Sequence, residues 1–291
     1  MKQMHAITII GCGDIGQRVA KLCQQQGKAV RGLVLSEESA NALKKQAIEP
    51  ITANLDELVT LKGLSYQDNT VFYFAPPPRH GEQDTRMVNW LASMQTGQLP
   101  EKVVLISTTA VYGDTAGDWI TEQSALAPGT ERGLRRLSAE RSLLEWAKAN
   151  RVKVVILRVP GIYGPGRLPR ERIEKALPVL NESECGYTNR IHSEDLAMIC
   201  MVAADKAKSG EIYNVSDGHP GTMTDWFNQV ADFLKLPRPP QISMQQAEQE
   251  MSAGMLSYLK ESRRIENSKV LRELKIELQY PTIQQGIPAS V

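Results

Sequence analysis

A glycine loop between a short apolar strand and an amphipathic helix constrains this chain more than any other feature. Gly11, Gly13 and Gly16 give the spacing GxGxxG directly after a β-rich apolar run. The first glycine permits a tight turn, the second lets the backbone approach a pyrophosphate, and the third lets helix and strand pack closely. The helix N-terminus adds backbone amides and a partial positive charge. Residues 1–36 therefore predict a βαβ unit that binds a dinucleotide, NAD or NADP.

Short apolar runs alternate with amphipathic stretches through the N-terminal half. The predicted strands are His5–Ile10, Ala29–Leu35, Pro50–Ala53, Thr70–Ala75, Lys102–Ser107 and Lys153–Val159, and the predicted helices include Ile15–Gln26 and Leu134–Asn150. Parallel strands need long crossover connections, so this alternation indicates a doubly wound parallel sheet with helices on both faces. The predicted fold class is therefore α/β, with an NAD(P)-binding Rossmann fold.

The pattern changes after Gly164, where an irregular basic stretch begins. The following elements are predicted beyond it: a helix over Ser193–Ala207, a strand over Glu211–Val215, a helix over Thr222–Leu234, a break at Leu236–Pro240, a short helix over Arg264–Leu274 and a closing turn over Tyr280–Ile287. This division predicts a dinucleotide-binding domain over residues 1–163, with a return segment over 191–216. Residues 164–190 and 217–291 are predicted to form a smaller substrate-binding region.

Composition narrows the class of protein. Of 291 residues, 42% are apolar and 23% charged, and the net charge of +1 gives no electrostatic reason to expect nucleic acid or a membrane surface as a partner. The apolar runs are too short to span a membrane, and the N-terminal MKQMHAITII carries no small-residue cleavage site, so a cytoplasmic protein is expected. The four cysteines lack CxxC spacing, so neither a disulfide framework nor a metal site is expected.

Two details of the βαβ unit leave alternatives open. The second strand ends at Leu35 and Ser36, where an acidic residue would pair with the ribose of NAD and an arginine would accommodate NADP. Glu37 or Glu38 can read the ribose, or both can lie in the first turn of a helix that Ser36 caps. Cys12 lies ahead of a helix N-terminus, which can lower a thiol pKa, or it simply fills a tight turn.

Several segments resemble the short-chain dehydrogenase/reductase superfamily, in its NAD-dependent epimerase/dehydratase branch. They are GCGDIG, ISTTAVYGD at Ile106–Asp114, LRVPGIYGPG at Leu157–Gly166, RIHSEDLA at Arg190–Ala197 and GEIYNVSDG at Gly210–Gly218. The resemblance covers most of the chain. It implies a seven-stranded Rossmann sheet and a small C-terminal lid that covers the substrate.

The resemblance also assigns residues to the cofactor and to the reaction. Ser107 and Thr108 fall at the active-site serine or threonine, with Thr108 as the candidate for holding a substrate oxygen. The remaining cofactor-contacting positions implied are Asp14 and Ile15 in the glycine loop, Leu35 and Ser36, Asn54 and Leu55 beside adenine, Ala75 and Pro76 beside the ribose, and Pro160, Gly161 and Ile162 beside the nicotinamide. Each lies in a loop after a predicted strand, at the sheet edge where α/β proteins bind ligands.

The chain departs from the family at its catalytic pair. The family has a tyrosine followed four residues later by a lysine, which lowers the tyrosine pKa for proton transfer. In TERGLRRLSAE these positions are held by Arg132 and Arg136. Arginine stays protonated near neutral pH, so these side chains cannot run the standard proton transfer.

Three explanations remain open for this departure. Tyr112 or Tyr163 can supply a substitute acid, although both tyrosines also occur in family members that keep the ordinary pair. Arg132 and Arg136 lie four residues apart on one helix face and can bind an anionic substrate. Alternatively, catalysis is lost and the protein binds the cofactor as a sensor or scaffold.

Three further residues are candidates for contact with the substrate. They are Arg167 in the basic stretch, with Arg190 and His192 in RIHSEDLA, where Ser193 or Asp195 is expected to cap the following helix. The favoured function is that of an oxidoreductase or isomerase that acts on a carbonyl or hydroxyl group of a sugar-like or nucleotide-linked small molecule. The resemblance also allows a homodimer.

Overall fold

The computed structural model describes residues 6–291, apart from the side chain of Ala253. The chain packs into two compact units. Unit 1 contains the described residues up to Val111, together with Glu131–Arg158 and Leu196–Tyr213, and unit 2 contains Tyr112–Thr130, Val159–Asp195 and Asn214–Val291. The segment 112–130 packs with unit 2, whereas the predicted domain over 1–163 includes it; the domain boundaries stay a prediction.

The strands, in chain order, have the following bounds. They are β1 (Ala6–Ile10), β2 (Val30–Val34), β3 (Glu49–Thr52), β4 (Asn69–Tyr73), β5 (Lys102–Thr108), β6 (Trp119–Ile120), β7 (Lys153–Val159), β8 (Gly161–Tyr163), β9 (Val179–Leu180), β10 (Tyr187–Thr188), β11 (Arg190–His192), β12 (Glu211–Asn214), β13 (Gly221–Thr222), β14 (Gln241–Ile242) and β15 (Arg264–Ile265).

The helices have the following bounds. They are α1 (Asp14–Gln25), α2 (Glu37–Lys44), α3 (Leu58–Leu61), α4 (Thr85–Ser93), α5 (Glu131–Asn150), α6 (Arg170–Glu174), α7 (Ser193–Lys206), α8 (Met223–Leu234), α9 (Met244–Glu250), α10 (Ala253–Leu259), α11 (Ser268–Leu274) and α12 (Ile283–Gly286), with short 3-10 turns at 109–112, 182–184 and 288–290.

The central sheet is parallel and confirms the predicted Rossmann fold. Within residues 6–291 it has seven strands in the order β12-β7-β5-β4-β1-β2-β3. Successive strands are added on one side of β1 as far as β3 and then on its other side from β4 onward. Open α/β sheets bind ligands at such a switch point, which here lies between β1 and β4. Buried apolar residues on β4, β5 and β7, among them Val71, Leu105 and Ile156, pack in one cluster with Trp90 of α4 and Leu143 of α5. This cluster fixes α4 and α5 beside the carboxyl edge of the sheet.

The predicted strands match the central sheet within one or two residues at most ends. His5, the first residue of the first predicted strand, lies outside the described residues. The helix predicted from Leu134 begins three residues earlier, at Glu131. The prediction of a short helix over Arg264–Leu274 is wrong at its start, because Arg264 and Ile265 form β15 beside β6 and the helix α11 begins only at Ser268.

Unit 2 is built from two-residue and three-residue strand pairs around α8. Trp226, Phe227 and Val230 of α8 form a buried cluster with Tyr163 and Ile287. A Cβ on Gly286 would lie 2.1 Å from the Tyr163 hydroxyl, so only glycine lets α12 pack this closely on that ring. The closing segment is therefore fitted closely to β8.

Candidate functional site

The three glycines of the loop in unit 1 have three different surroundings. Gly11 has a φ of +80°, and a Cβ there would lie 2.6 Å from the backbone of Ala75. A Cβ on Gly16 would lie 3.0 Å from Ile9 Cγ2, so close helix–strand packing requires glycine there. No atom lies within 4 Å of the place where a Gly13 Cβ would stand. Gly13 therefore leaves open space at the start of α1, as the approach of a pyrophosphate requires.

Cys12 fills the turn. Its side chain is buried, and a Cβ on Gly32 of β2 would lie 2.9 Å from the Cys12 Cβ. Burial raises the pKa of the Cys12 thiol to about 12, so little thiolate is present near neutral pH. The shift comes from desolvation by burial, which favours the alternative that Cys12 fills a tight turn.

The carboxyl end of β2 is followed by the exposed residues Leu35, Ser36, Glu37 and Glu38, and whether either glutamate reads the ribose stays a prediction. Leu35 is 68% exposed. The Ser36 hydroxyl accepts a hydrogen bond from the Ser39 amide at 3.2 Å, which confirms the predicted cap of α2. Glu37 and Glu38 lie in the first turn of that helix, where negative charge is favourable. This edge gives no side-chain basis for preferring NAD to NADP.

The positions assigned to adenine and its ribose also lie at this edge of unit 1. Asn54 Oδ1 accepts a hydrogen bond from the Asp56 amide at 3.0 Å, which fixes the turn after β3, and Leu55 is buried. Ala75 is buried beneath Gly11, and the Pro76 carbonyl accepts a hydrogen bond from Arg86. All of these positions stay predictions for cofactor contact.

Ser107 and Thr108 face different surroundings at the end of β5. The Ser107 hydroxyl is buried and donates a hydrogen bond to Glu140 Oε1 at 2.5 Å. Glu140 also accepts from Arg158 Nη2 at 2.7 Å, and both charged side chains are only 2% exposed. Thr108 is half-buried, and its hydroxyl accepts a long hydrogen bond from the Ala110 amide at 3.3 Å. Thr108 therefore has the more accessible hydroxyl of the two.

Arg132 and Arg136 lie in the first turns of α5, and both are half-buried. Arg136 Nη1 donates to the Ala75 carbonyl at 3.2 Å, which joins α5 to the turn after β4. Burial lowers the pKa of the Arg136 guanidinium, and the negative charge of Asp84 opposes that shift. A guanidinium at this depth is a fixed positive charge at the edge of the sheet.

Asp84 is the carboxylate whose negative charge acts most strongly on the pKa of Arg136. No sequence motif quoted above includes it. It caps α4 by accepting a hydrogen bond from the Met87 amide at 3.1 Å. Its other oxygen, Oδ2, is buried and has no hydrogen-bond partner among residues 6–291, and burial raises the pKa of this carboxyl. An aspartate just ahead of the helical run Thr85–Ser93 is an ordinary capping signal that could have identified it.

The two tyrosines considered as substitute acids lie in unit 2. The Tyr112 hydroxyl is buried and donates to Asn214 Oδ1 at 2.7 Å. The Tyr163 hydroxyl donates to the Thr282 carbonyl at 3.3 Å, and burial raises the pKa of this phenol. Both hydroxyls are therefore engaged inside unit 2.

Arg190 lies beside the loop assigned to the nicotinamide. It pairs with Gly161 across β11 and β8, and a Cβ on Gly161 would lie 3.1 Å from Arg190 Nη1. The guanidinium lies over the Trp226 ring at 4.5 Å. Among residues 6–291 it forms no ion pair, and its side-chain hydrogen bonds to Thr188 Oγ1 and Met223 Sδ are long, at 3.4 and 3.6 Å. Burial lowers the pKa of Arg190 to about 10.

Asp217 shares this part of unit 2. Burial raises the pKa of its carboxyl to about 6, and no donor in the part of the chain that the structure describes reaches Oδ2. Its other oxygen accepts from the His219 amide at 3.0 Å. Asp217 lies in the segment GEIYNVSDG, which resembles the family, but the resemblance assigned no role to it.

His192 and Asp195 hold unit 2 together. His192 is fully buried, its Nδ1 accepts a hydrogen bond from the Glu194 amide at 3.3 Å, and its ring packs on Tyr280 at 4.0 Å. Asp195 accepts hydrogen bonds from the amides of Gln279 and Tyr280, so the expectation that it caps α7 is wrong. Its carboxylate instead joins the first residues of α7, which belong to unit 2, to the closing segment of the same unit.

The basic stretch after Gly164 is mostly a solvated surface. Arg167 is exposed. Arg170 and Lys175 each form an ion pair four residues away, with Glu174 and Glu171. Within residues 6–291, no group of three or more His, Cys, Asp or Glu side chains is arranged to hold a metal ion. None of the helices in that same range is long and apolar enough to cross a membrane.

Comparison with known proteins gives a consistent result. The family model described as "NAD dependent epimerase/dehydratase family" matches residues 7–216. Protein YeeZ of Escherichia coli is 28% identical over 289 residues, which cover 96% of this chain and 97% of that protein. The human dTDP-D-glucose 4,6-dehydratase is 24% identical over 143 residues, 46% of this chain and 41% of that protein.

Solved structures share the fold. A functionally unknown conserved protein from Silicibacter pomeroyi has a TM-score of 0.81 and 25% identity, over 98% of this chain and 97% of that one. The dTDP-glucose 4,6-dehydratase of Bacillus anthracis, solved with NAD, has a TM-score of 0.77 and 18% identity, over 98% and 94%. MoeE5, solved with UDP-glucose and NAD, has a TM-score of 0.75 and 18% identity, over 98% and 97%.

Proposed function

Because this chain belongs to the NAD-dependent epimerase/dehydratase family and its cofactor is accordingly NAD or NADP, we propose that it is an oxidoreductase or isomerase with a non-standard acid–base group. Its substrate is a sugar-like or nucleotide-linked molecule with a reacting carbonyl or hydroxyl group. The observation that carries the proposal is the complete glycine loop, together with two arginines, Arg132 and Arg136, in the first turns of α5, which the resemblance puts at the positions of the family's tyrosine and lysine.

The residues of unit 1 fit a dinucleotide. The open space over Gly13 and the amides at the start of α1 suit a pyrophosphate, while Gly11 and Gly16 hold the loop against Ala75 and Ile9. Asn54, Leu55, Ala75 and Pro76 would line the adenosine end. When bound, the nicotinamide supplies the acceptor or donor of a hydride.

The half-buried Thr108 hydroxyl is the group in unit 1 that would hold the substrate oxygen by a hydrogen bond. The guanidinium groups of Arg132 and Arg136 stay protonated, so they stabilise negative charge on that oxygen and take no proton from it. The proton of the reacting group then exchanges with water. In this assignment Ser107 is a positioning residue, because its hydroxyl is bonded to Glu140.

Two observations support an anionic, nucleotide-linked substrate. MoeE5, a relative in fold, binds UDP-glucose, and the dehydratases of dTDP-glucose are relatives in sequence. Arg190 of unit 2 is a half-buried guanidinium without an ion pair among the described residues, and a phosphate or carboxylate would satisfy it.

A second candidate is a non-catalytic sensor or scaffold that binds the cofactor. The Tyr112 and Tyr163 hydroxyls favour it, because both donate hydrogen bonds to partners inside unit 2 and neither is free to replace the missing tyrosine.

A two-stage experiment tests the proposal. Purified protein is first titrated with NAD, NADH, NADP and NADPH, and is then assayed for a change in cofactor absorbance with sugar nucleotides and small carbonyl compounds. Turnover that Thr108→Val abolishes and Tyr112→Phe preserves supports an enzyme built on the threonine. Tight cofactor binding without turnover across the panel supports the sensor, and no binding of any dinucleotide contradicts both.

A further inference from the structure

Unit 2 contains a small pocket that is separate in sequence from every residue assigned above to cofactor or substrate. Its volume is about 220 Å³, and its walls include Arg172 of α6, Leu177 and Pro178 ahead of β9, and Met251 and Met255. Pockets that hold drug-sized ligands start at about 300 Å³, and one water takes about 30 Å³. The space therefore suits a single ring or a short chain.

The wall is apolar and adaptable. Leu177 is 40% exposed, although a large apolar side chain in that setting gains free energy from being covered. Met251 and Met255 are half-buried. Methionine side chains are flexible and polarisable, and they pack well on aromatic rings. These residues would receive the apolar body of a ligand.

Arg172 supplies the one positive charge of the pocket. Its guanidinium lies over the Phe227 ring at 5.4 Å, and Nη2 donates a long hydrogen bond of 3.5 Å to the Pro178 carbonyl. Its Nε is buried, and among the described residues no atom accepts a hydrogen bond from it. No carboxylate among residues 6–291 forms an ion pair with Arg172. A guanidinium held in this way has donors available for a planar oxyanion.

A neighbouring arginine on the same helix differs from Arg172, because it has a carboxylate partner. Arg170 lies two residues earlier on α6 and forms an ion pair with Glu174 at 3.3 Å. Glu250 lies at the pocket as well and is exposed. Arg172 brings one positive charge to the pocket and Glu250 brings one negative charge close by, so a carboxylate can pair with Arg172 while a ligand with a second negative charge is repelled.

We propose that this pocket binds a small aromatic or short-chain carboxylate, with the carboxylate on the Arg172 guanidinium and the apolar body against Leu177, Met251 and Met255. A singly charged carboxylate matches the charge, and one ring matches the volume. This pocket uses none of the residues assigned to the proposed reaction, so a test of carboxylate binding does not depend on whether the protein catalyses that reaction.

The test uses benzoate and its neutral isostere benzamide on the full-length protein. We expect benzoate to bind with a Kd on the order of 1 mM, as a ligand of this size allows, and benzamide to bind at least about tenfold more weakly. In ¹³C-methyl spectra, the methionine signals assigned through Met251→Leu and Met255→Leu should shift with benzoate. Phenylphosphonate, which carries more negative charge, should bind more weakly than benzoate.

Arg172→Gln and Arg170→Gln form a matched pair on one helix. Arg172→Gln should weaken benzoate binding about tenfold or more, and Arg170→Gln should leave it unchanged. Equal affinity for benzoate and benzamide in the unaltered protein overturns the proposal, and so do unshifted Met251 and Met255 signals. These two measurements need no variant of Arg172, so they decide the matter even if that variant folds poorly.

Discussion

The glycine loop and the first turns of α5 belong to the same compact unit, yet the loop keeps the complete GxGxxG pattern while α5 carries arginines at the two positions proposed for the catalytic pair. In the loop, Gly11 and Gly16 are required by atoms within about 3 Å, and Gly13 opens the space that a pyrophosphate needs. In α5, the resemblance to the family puts Arg132 and Arg136 where a tyrosine and a lysine would move protons, and both arginines lie in the first turns of a regular helix. The dinucleotide loop therefore depends on backbone geometry, whereas the proposed chemistry depends on two side chains.

The inner part of α5 shows why the helix tolerates this change. Glu140 is held by Arg158 and by the Ser107 hydroxyl, all of them buried. This network anchors α5 to β5 and β7 two turns beyond Arg132. The outer turns are therefore free to vary in charge while the helix stays where it is.

The largest expected effect comes from breaking that anchor. Glu140→Gln leaves Arg158 buried without its counter-charge, so the free energy of unfolding should fall by about 3–5 kcal/mol. Chemical denaturation measures it. Glu101→Gln removes the carboxylate of the exposed pair with Lys153 and is the matched control, with little expected change. Equal effects in the two variants would mean that the buried Glu140–Arg158 pair anchors α5 no more firmly than an exposed ion pair would.

The second largest effect should be on dinucleotide affinity. Gly13→Val places a branched side chain in the open space of the loop, so affinity for NAD or NADP should fall about tenfold or more, which corresponds to about 1.4 kcal/mol. Isothermal titration measures it. Gly129→Val, at another glycine with no atom near its Cβ position, should leave affinity unchanged. If Gly13→Val bound NAD or NADP as tightly as the unaltered protein, the backbone geometry of the loop would not be what determines dinucleotide affinity.

A smaller effect is expected at the end of β2. Ser36→Ala removes the cap of α2 and should lower the free energy of unfolding by about 1 kcal/mol. Because the hydroxyl already bonds to Ser39, affinity for either dinucleotide should change by no more than about twofold. A selective loss of NADP binding would instead make Ser36 a reader of the ribose phosphate.

The smallest expected effect is on the pH dependence of stability, and it comes from Asp84, the carboxylate that acts on Arg136. Burial raises the pKa of Asp84, so the folded protein keeps this proton to a higher pH than the unfolded chain. The stability should therefore fall as the pH rises through the window that opens near 4, the ordinary value for aspartate. Asp84→Asn keeps a capping oxygen and should flatten that fall in denaturation curves measured between pH 3 and 7. An unaltered slope would show that Asp84 does not titrate in this window.

Much of unit 1 could be predicted because its signals are local. The strand runs, the GxGxxG loop and the Ser36 cap each follow from a few neighbouring residues, and all of them describe the cofactor edge. The α5 helix was placed within three residues at its start, since the core fixes its length through residues such as Leu143.

The remaining features depend on contacts between residues far apart in the chain. Asp195 looks like a cap for α7, but the amides of residues 279 and 280 compete for its carboxylate. Arg264 looks helical, yet it pairs with Trp119 across 145 positions in β15 and β6. The burial that raises the pKa values of Cys12 and Asp217 likewise comes from packing that no local pattern encodes.

Segments of the two units alternate along the sequence, and this order affects both the synthesis of the chain and its cleavage into parts. The edge strand β12 of the central sheet ends at Asn214. Two segments of unit 2, residues 112–130 and 159–195, come earlier in the sequence than this strand. During synthesis the sheet therefore cannot be completed until about three-quarters of the chain has left the ribosome. No single cut releases either unit whole, so recombination between relatives at one crossover would exchange parts of both units together.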